Sequence, residues 1–435
     1  MAKSLWSDRE TLPKFEGLFG DKSTDVLIIG GGICGLLCAY FLQQAGIDYI
    51  LLEGKRICSG ITKNTTAKIT SQHGLIYDHL IRSVGAEKAK MYLMANQQAI
   101  FEYEKLCCNT DCDFERKPAY VYSMSDRRKI EREVKAVNDL GLSAEFCEHL
   151  PLPFKTEGAI KFDNQAQFNP LKFISSISGG MKIYENSFVR EIRNYTAYTN
   201  SGSVKAKRII VATHFPFINN HGSYFLKLYQ HRSYVIAYEN VSDLYGRLDG
   251  MYIDESDKGL SFRKYNDLML IGGGGHRTGK EGGNWNEIRE FANSHYSGIR
   301  EKYAWATQDC MSLDGIPYIG RYSNNTEDMY VAAGFNKWGM TSSMAAAQIL
   351  CDMIRDKENE FEAVFSPSRS MLKPQLLVNG YEAVKNLLSI RPKRCPHLGC
   401  ALVWNKTERS WDCPCHGSRF NENGRLIDNP AKKSL

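Results

Sequence analysis

Cys395, His397, Cys413 and His416 stand in the order C-x-H-x15-C-x-x-H, so each of two short loops offers one thiolate and one imidazole. A Rieske [2Fe–2S] centre needs that donor set: one iron takes two cysteines, the other two histidines. The neutral imidazoles raise its potential above that of an all-cysteine cluster. A tetrahedral zinc accepts the same donors, and a Cys2His2 zinc site is the alternative. Zinc fingers keep like ligands together, as C-x2–4-C followed by H-x3–5-H, whereas each loop here mixes the two. The iron–sulfur reading makes the chain an electron carrier.

A second constellation lies near the other end. An apolar run from Val26 leads into Gly30-Gly31-Gly32-Ile33-Cys34-Gly35, and an apolar stretch follows. This is G-x-G-x-x-G between a strand and a helix. Gly30 permits the tight turn, Gly32 lets backbone approach a pyrophosphate, and Gly35 lets the helix pack against the strand. The helix N-terminus then faces the phosphate charge. Glu53 ends the next apolar run, where a carboxylate accepts ribose hydroxyls and disfavours a 2′-phosphate. Three later segments favour FAD over NAD. One is a small, hydroxyl-rich loop with Gly60, Thr62, Thr65, Thr66 and Ala67; another is the apolar run 208–213. The third runs from Asp314 through the strand 329–333 into Gly334, Trp338, Gly339, Met340 and Thr341. A helix starting near Gly339 turns its positive end toward the flavin edge, where negative charge gathers on reduction.

These motifs need a large frame. The chain has 435 residues, enough for two or three domains, and 43% hydrophobic with 24% charged residues marks a globular protein. A formal charge of +6 is no argument for nucleic acid at this size. Residues 1–22 lack the apolar core of a leader, and the apolar stretch 26–45 reads as strand, turn and helix, so no integral membrane segment is expected and a cytoplasmic location is. Residues 118–124, 159–163, 187–192 and 230–239 have strand character, and Ser366-Pro-Ser-Arg-Ser370 reads as a linker. Cys34 and Cys38 read as small core residues.

Residues 24–365 resemble the FAD-dependent glycine/D-amino-acid oxidase (DAO) superfamily, and most of all its subgroup with a C-terminal Rieske domain. The likeness is carried by Asn64-Thr-Thr-Ala-Lys-Ile-Thr-Ser-Gln-His73-Gly, Ala212-Thr-His-Phe-Pro-Phe217, Leu270-Ile-Gly-Gly-Gly-Gly-His276-Arg-Thr-Gly and Asp314-Gly-Ile-Pro-Tyr-Ile-Gly320. It implies an α/β (α+β) fold: a Rossmann-type FAD domain interleaved in sequence with a mixed-sheet substrate domain, plus a small β Rieske domain. The expected boundaries are 1–23 for an N-terminal segment, 24–365 for the flavin part, 366–390 for a linker and helix, and 391–435 for a reduced Rieske domain. That last part lacks the usual base strands and is expected to lean on the flavin domain. By the same resemblance Val189 contacts the adenine region, Cys310 lies where some relatives attach flavin, and Cys400 and Cys415 match the cysteine pair that bridges the cluster loops in Rieske proteins of cytochrome complexes.

The resemblance also implies C–N oxidation of a small amine or amino acid, with FAD and the [2Fe–2S] cluster as cofactors and electrons leaving to an external acceptor. The alternatives are a reductase running from cluster to flavin, and an electron-transfer or redox-sensing protein without a small substrate. Arg263 is the candidate clamp for a substrate carboxylate, with a surface salt-bridge residue as the alternative. His276 and His73 are candidates to face the ring, with a backbone-bonded structural histidine as the alternative for each, and Trp338 is a candidate pocket wall. In the cluster region, Ser418 matches a hydroxyl that hydrogen-bonds a cluster sulfur in high-potential relatives, while Phe420 replaces their tyrosine. A missing donor to sulfur lowers the potential. Phe420→Tyr is therefore expected to raise the cluster midpoint in protein-film voltammetry; an unchanged midpoint refutes this.

Overall fold

The computed structural model describes residues 3–241, 248–256 and 259–435. Two large sheets and one small one organise them. The nucleotide-type sheet has the strand order Tyr318–Ser323, Thr326–Ala333, Ser203–Val211, Lys22–Ile29, Tyr49–Leu52, Ile183–Tyr184. Its central pairings are parallel, and the buried ends of these strands are unbroken apolar runs because helices and loops cover both faces. Three separate stretches of chain build this one sheet, so the domain is discontinuous in sequence. The helix Ile33–Gln44 is apolar nearly all round and is buried between this sheet and the helix Gly339–Ile354.

The second sheet is mixed and has nine strands. The long strands Tyr229–Glu239, Leu268–Arg277 and Arg300–Met311 are antiparallel neighbours, and Met251–Asp254 joins Glu115–Ser123 in parallel. A four-stranded antiparallel meander, Val403–Asn405, Ser410–Asp412, Arg419–Asn421 and Leu426–Asp428, forms the third sheet. Its own core is small: Cys395, Cys400, Leu402, Cys413, Cys415, Phe420 and Ala431. No helix among the described residues is long and apolar enough to cross a membrane.

Several expectations need correction. Residues before Thr24 are not a separate segment: the first strand already begins at Lys22, and the helix Leu5–Arg9 buries Leu5 and Trp6 completely. The turn-rich stretch 366–370 is no loose linker, because Arg369 forms a bidentate pair with Asp314 (2.9 Å to each oxygen) and donates to the carbonyls of Phe365, Ser366 and Pro317. The helix expected near 381–390 runs as Pro374–Leu387. Of residues 187–192, only the end enters the short strand Glu191–Arg193.

Candidate active site and cluster site

The glycine turn is built by close approach. Gly30 has φ +114°, and a Cβ there would meet Ala212 O at 2.5 Å; a Cβ on Gly35 would lie 1.9 Å from Gly30 O. Neither position tolerates a side chain, so the turn stays open beneath the N-terminus of Ile33–Gln44. Thr62 Oγ1 accepts from Ile33 N at 3.1 Å, and Glu53 accepts from Gly31 N at 2.7 Å. Burial pushes the Glu53 carboxyl up despite the backbone donors Gly31 N and Lys55 N.

A cavity of about 1260 Å³ opens over this turn. Gly30, Gly32 and Glu53 line one end, with Val189 beside them. Gly60, Thr62, Thr65 and Thr66 line the wall, and Asp314, Trp338, Gly339 and Met340 line it further along. Helix Gly339–Ile354 starts where it was expected and has no side-chain cap, leaving its first N–H groups turned to the cavity end. The volume exceeds that of an ordinary small-ligand pocket and suits a dinucleotide plus a small substrate. Gly35, Ala67, Gly334 and Thr341 stand behind the wall. Gly35 packs on the turn, Gly334 turns the chain at φ +73°, and Thr341 Oγ1 donates to Thr70 O. Ala67 is fully buried at φ +55°.

The hydroxyl-rich loop is fixed from outside. Trp305 Nε1 donates to Asn64 O (2.9 Å) and Trp6 Nε1 to Thr65 O (2.8 Å). Arg263 Nη1 donates to both Thr66 O (2.6 Å) and Ala67 O (2.9 Å). Four consecutive carbonyls are thus held by side chains. This corrects Arg263 as a substrate clamp. Its fully buried guanidinium does not line the cavity, and burial pulls it down to about 9. Asp314 does line the cavity, with its carboxylate engaged by Arg369.

Both candidate histidines are hydrogen-bonded within the protein. His73 touches the cavity, but its ring contacts Tyr92 OH at 2.6 Å, Thr70 O at 2.8 Å and Thr341 Oγ1 at 3.0 Å, and stacks on Trp338. Burial pulls it down to about 3, so it is neutral at working pH. His276 lies away from the cavity, between Tyr234 OH (3.0 Å) and Arg277 O (2.9 Å). The cavity wall also carries a lysine that the sequence reading did not single out. Lys68 lines the cavity, and burial followed by the charge of Arg263 pulls its ammonium down to about 7. Cys310 lines the cavity as well, with burial pushing its thiol up.

At the other end the four expected metal ligands converge. The His397 and His416 rings lie 4.9 Å apart at 88°, and both Nδ1 atoms are buried without a hydrogen-bond partner. Two orphaned imidazole nitrogens beside Cys395 and Cys413 are what a cluster with two histidine ligands requires. Ser418 is fully buried, and its Oγ accepts from Ala431 N at 2.9 Å. Cys400 and Cys415 are free thiols, so the expected bridge is not formed, although their sulfurs and that of Cys413 lie within 4.8 Å of one another. By distance alone those three sulfurs also qualify as a metal group. The orphaned imidazoles favour the mixed set.

The histidine edge faces the flavin part. His397 Nε2 meets Asn219 Oδ1 at 3.0 Å, and Phe215 packs against both rings. Asn429 Nδ2 donates to Thr213 O and Phe215 O (2.6 and 3.0 Å), Gln308 Nε2 to Gly417 O (2.9 Å), and Arg277 Nε to Pro414 O (3.3 Å). A Cβ on Gly417 would sit 2.2 Å from Gln230, so only glycine permits this approach. At the centre, Glu408 is held between Arg232 of the large sheet (Nε to Oε1, 2.9 Å) and Arg419 of the small one (2.8 Å), and Tyr234 OH donates to it at 3.0 Å. Burial alone would raise Glu408, but Arg232 and Arg419 overcome it and hold the carboxyl at about 2. Ile427, Asp428, Asn429 and Pro430, with Glu408 and Arg419, line the same cavity as the glycine turn.

Fold and site together define an FAD-dependent oxidoreductase carrying an iron–sulfur domain. Residues 25–353 match the FAD dependent oxidoreductase family (DAO) and residues 371–435 match the Rieske [2Fe-2S] domain, and the chain belongs to that oxidoreductase family. Its cofactors are FAD and a Rieske-type [2Fe–2S] cluster, which sets the zinc alternative aside. Over its whole length (97% of the relative) it is 34% identical to YhfW of Bacillus subtilis (strain 168), a protein named for a Rieske 2Fe-2S iron-sulfur centre. Over 80% of the chain and 88% of the relative it is 24% identical to gamma-glutamylputrescine oxidoreductase of Escherichia coli (strain K12). L-proline dehydrogenase from P. horikoshii superposes with a TM-score of 0.68 at 16% identity, covering 80% of this chain and 98% of that one.

Removing one partner of a buried pair strands the other charge, so Glu408→Gln or Arg232→Met is expected to cost roughly 3–5 kcal/mol, read as earlier loss of cluster absorbance in denaturant. Because the Glu408 pKa is depressed, its contribution is present above the ordinary carboxylate range and is lost as pH falls toward 2. Glu408→Gln should flatten that acid limb. Identical denaturation curves would show that the pair does not hold the domains together.

Proposed function

We propose that the enzyme oxidises the C–N bond of a small amine or amino acid and delivers the electrons through its cluster to an external acceptor. The observation that carries this reading is the shared wall: Gly30 at the nucleotide turn and residues 427–430 of the cluster domain bound one cavity. The names of two similar proteins, a gamma-glutamylputrescine oxidoreductase and an L-proline dehydrogenase, support an amine or imino-acid substrate.

When bound, FAD takes a hydride from the carbon beside nitrogen and the cluster carries electrons singly, the organic and inorganic chemistry being the cofactors' own. We assign Gly30, Gly32, Gly35, Glu53 and the loop 60–67 to holding the nucleotide, and Cys395, His397, Cys413 and His416 to holding the cluster. The remaining residues orient substrate and manage its proton. Most amines bind as ammonium ions, whose nitrogen has no free pair to assist hydride loss. Lys68, neutral above about pH 7, accepts that proton. Trp305 and Trp338 line the cavity as apolar walls for the substrate.

The test is anaerobic addition of a panel of amines and amino acids to the holoenzyme. One substrate should bleach the flavin absorbance and bring up a Rieske-type electron paramagnetic resonance signal. Both cofactors inert to the whole panel would overturn the reading. For the substrate found, kcat/KM should rise with pH through about 7. Lys68→Met should lose that limb and on the order of a hundredfold in rate; an unaltered profile would remove Lys68 from the mechanism.

A further inference from the structure

The helix Pro374–Leu387 is amphipathic in the wrong sense for a helix packed on a protein core. The side chains it buries are polar: Asn379, Glu382 and Asn386. Each is engaged inward. Asn379 accepts from Arg277 (3.1 Å) and donates to Leu226 O (3.1 Å), Glu382 pairs with Lys280 (2.5 Å), and Asn386 Nδ2 donates back to Glu382 O (2.7 Å). The apolar side faces out. Leu377 is 77% exposed and Leu388 79%, with Val378, Tyr381 and Val384 between them. The patch continues to Leu372 before the helix and to Ile390, 99% exposed, after it. It also reaches Leu398, which sits between the cluster ligand His397 and Gly399. Soluble surfaces rarely leave a contiguous apolar face of this extent uncovered.

The exposed charges carried by this segment have one sign. From residue 366 to residue 406 the only acidic residue is Glu382, which is turned inward, while Lys385, Arg391, Lys393 and Arg394 are exposed. Arg394 also staples the helix end to the cluster loop through Asn386 O, Leu387 O and Gly399 O (3.2, 3.1 and 3.4 Å). The patch and the loop therefore move together.

We propose that this face docks the protein on an anionic bilayer surface. Leucine, valine and isoleucine enter the acyl boundary, Tyr381 sits at headgroup level, and the basic rim meets anionic phosphates. A second copy of the chain suits the face less well, because a two-fold contact sets the basic rim against itself. Docking in this way turns the cluster loop, through Leu398, toward the lipid. No spanning helix is involved; the segment lies on the membrane.

Cosedimentation of the holoenzyme tests this with vesicles of phosphatidylcholine alone and vesicles in which phosphatidylglycerol replaces half of it. The protein should pellet with the anionic vesicles and be released by salt. Leu377→Ser and Leu388→Ser, both at exposed positions, should each weaken partition by about tenfold, and Lys385→Gln with Arg391→Gln by at least as much. Unchanged flavin and cluster absorbance in these variants separates lost docking from lost folding. Retention in the supernatant with both vesicle types overturns the proposal, as does equal pelleting with neutral vesicles. So does a wild-type dimer that Leu377→Ser converts to monomer. No substrate is present, so failure here leaves the amine reading standing.

Discussion

Glu408 is the point at which the two cofactor-bearing parts of the chain become one body. Its carboxylate lies between a guanidinium of the nine-stranded sheet and one of the small meander, and Tyr234 donates to it. Out of water, each of these charges is tolerable only while the others are present. The surrounding contacts then have a defined register: Gln308 on Gly417, Arg277 on Pro414, Asn429 on the carbonyls of the 212–217 loop. All of them bring the same edge of the cluster site, that of His397 and His416, against Phe215 and Asn219.

That docking explains how so short an iron–sulfur module can persist. A few dozen residues with a core of mostly sulfur and single aromatic side chains bury too little apolar surface to stand alone. Here the missing base is supplied by the flavin part and by the helix Pro374–Leu387, whose Asn386 O accepts from Ala401 N at 2.9 Å. The helix can do this only by presenting polar side chains to its neighbours, because what it must satisfy are arginine, lysine and backbone groups. Its apolar residues are left outside as a consequence of the same geometry.

At the flavin end the governing constraint is rigidity of one loop. Hydroxyl-bearing residues close to a cofactor are useful only if their backbone does not compete for the same space. Trp305, Trp6 and Arg263 hold four successive carbonyls of that loop. Arg263 and its neighbour Lys68 illustrate how two cations placed together divide their roles. Burial draws both down, the buried guanidinium to about 9 and the ammonium bordering the cavity to about 7, so only the second nears neutrality at ordinary pH.

The sequence by itself determined whatever depends on local spacing. A glycine turn must carry its glycines at fixed intervals after a strand, and two metal-binding loops must carry their ligands in order. The turn at Gly30, the helix start at Gly339, the convergence of Cys395, His397, Cys413 and His416, and the interleaved domains were therefore legible. Tertiary structure alone decided what depends on partners far apart in the chain. Arg263 looked like a substrate clamp because nothing near it in sequence shows the carbonyls of residues 66 and 67 that occupy it. Arg369, the partner of Asp314, lies in what reads as a linker. Trp6, Arg232 and Glu408 carry no motif, since any tryptophan, arginine or glutamate looks alike until folding removes water from around it. Burial converts an ordinary charge or indole into an obligatory partner, and burial is a property of the packed chain rather than of any stretch of it.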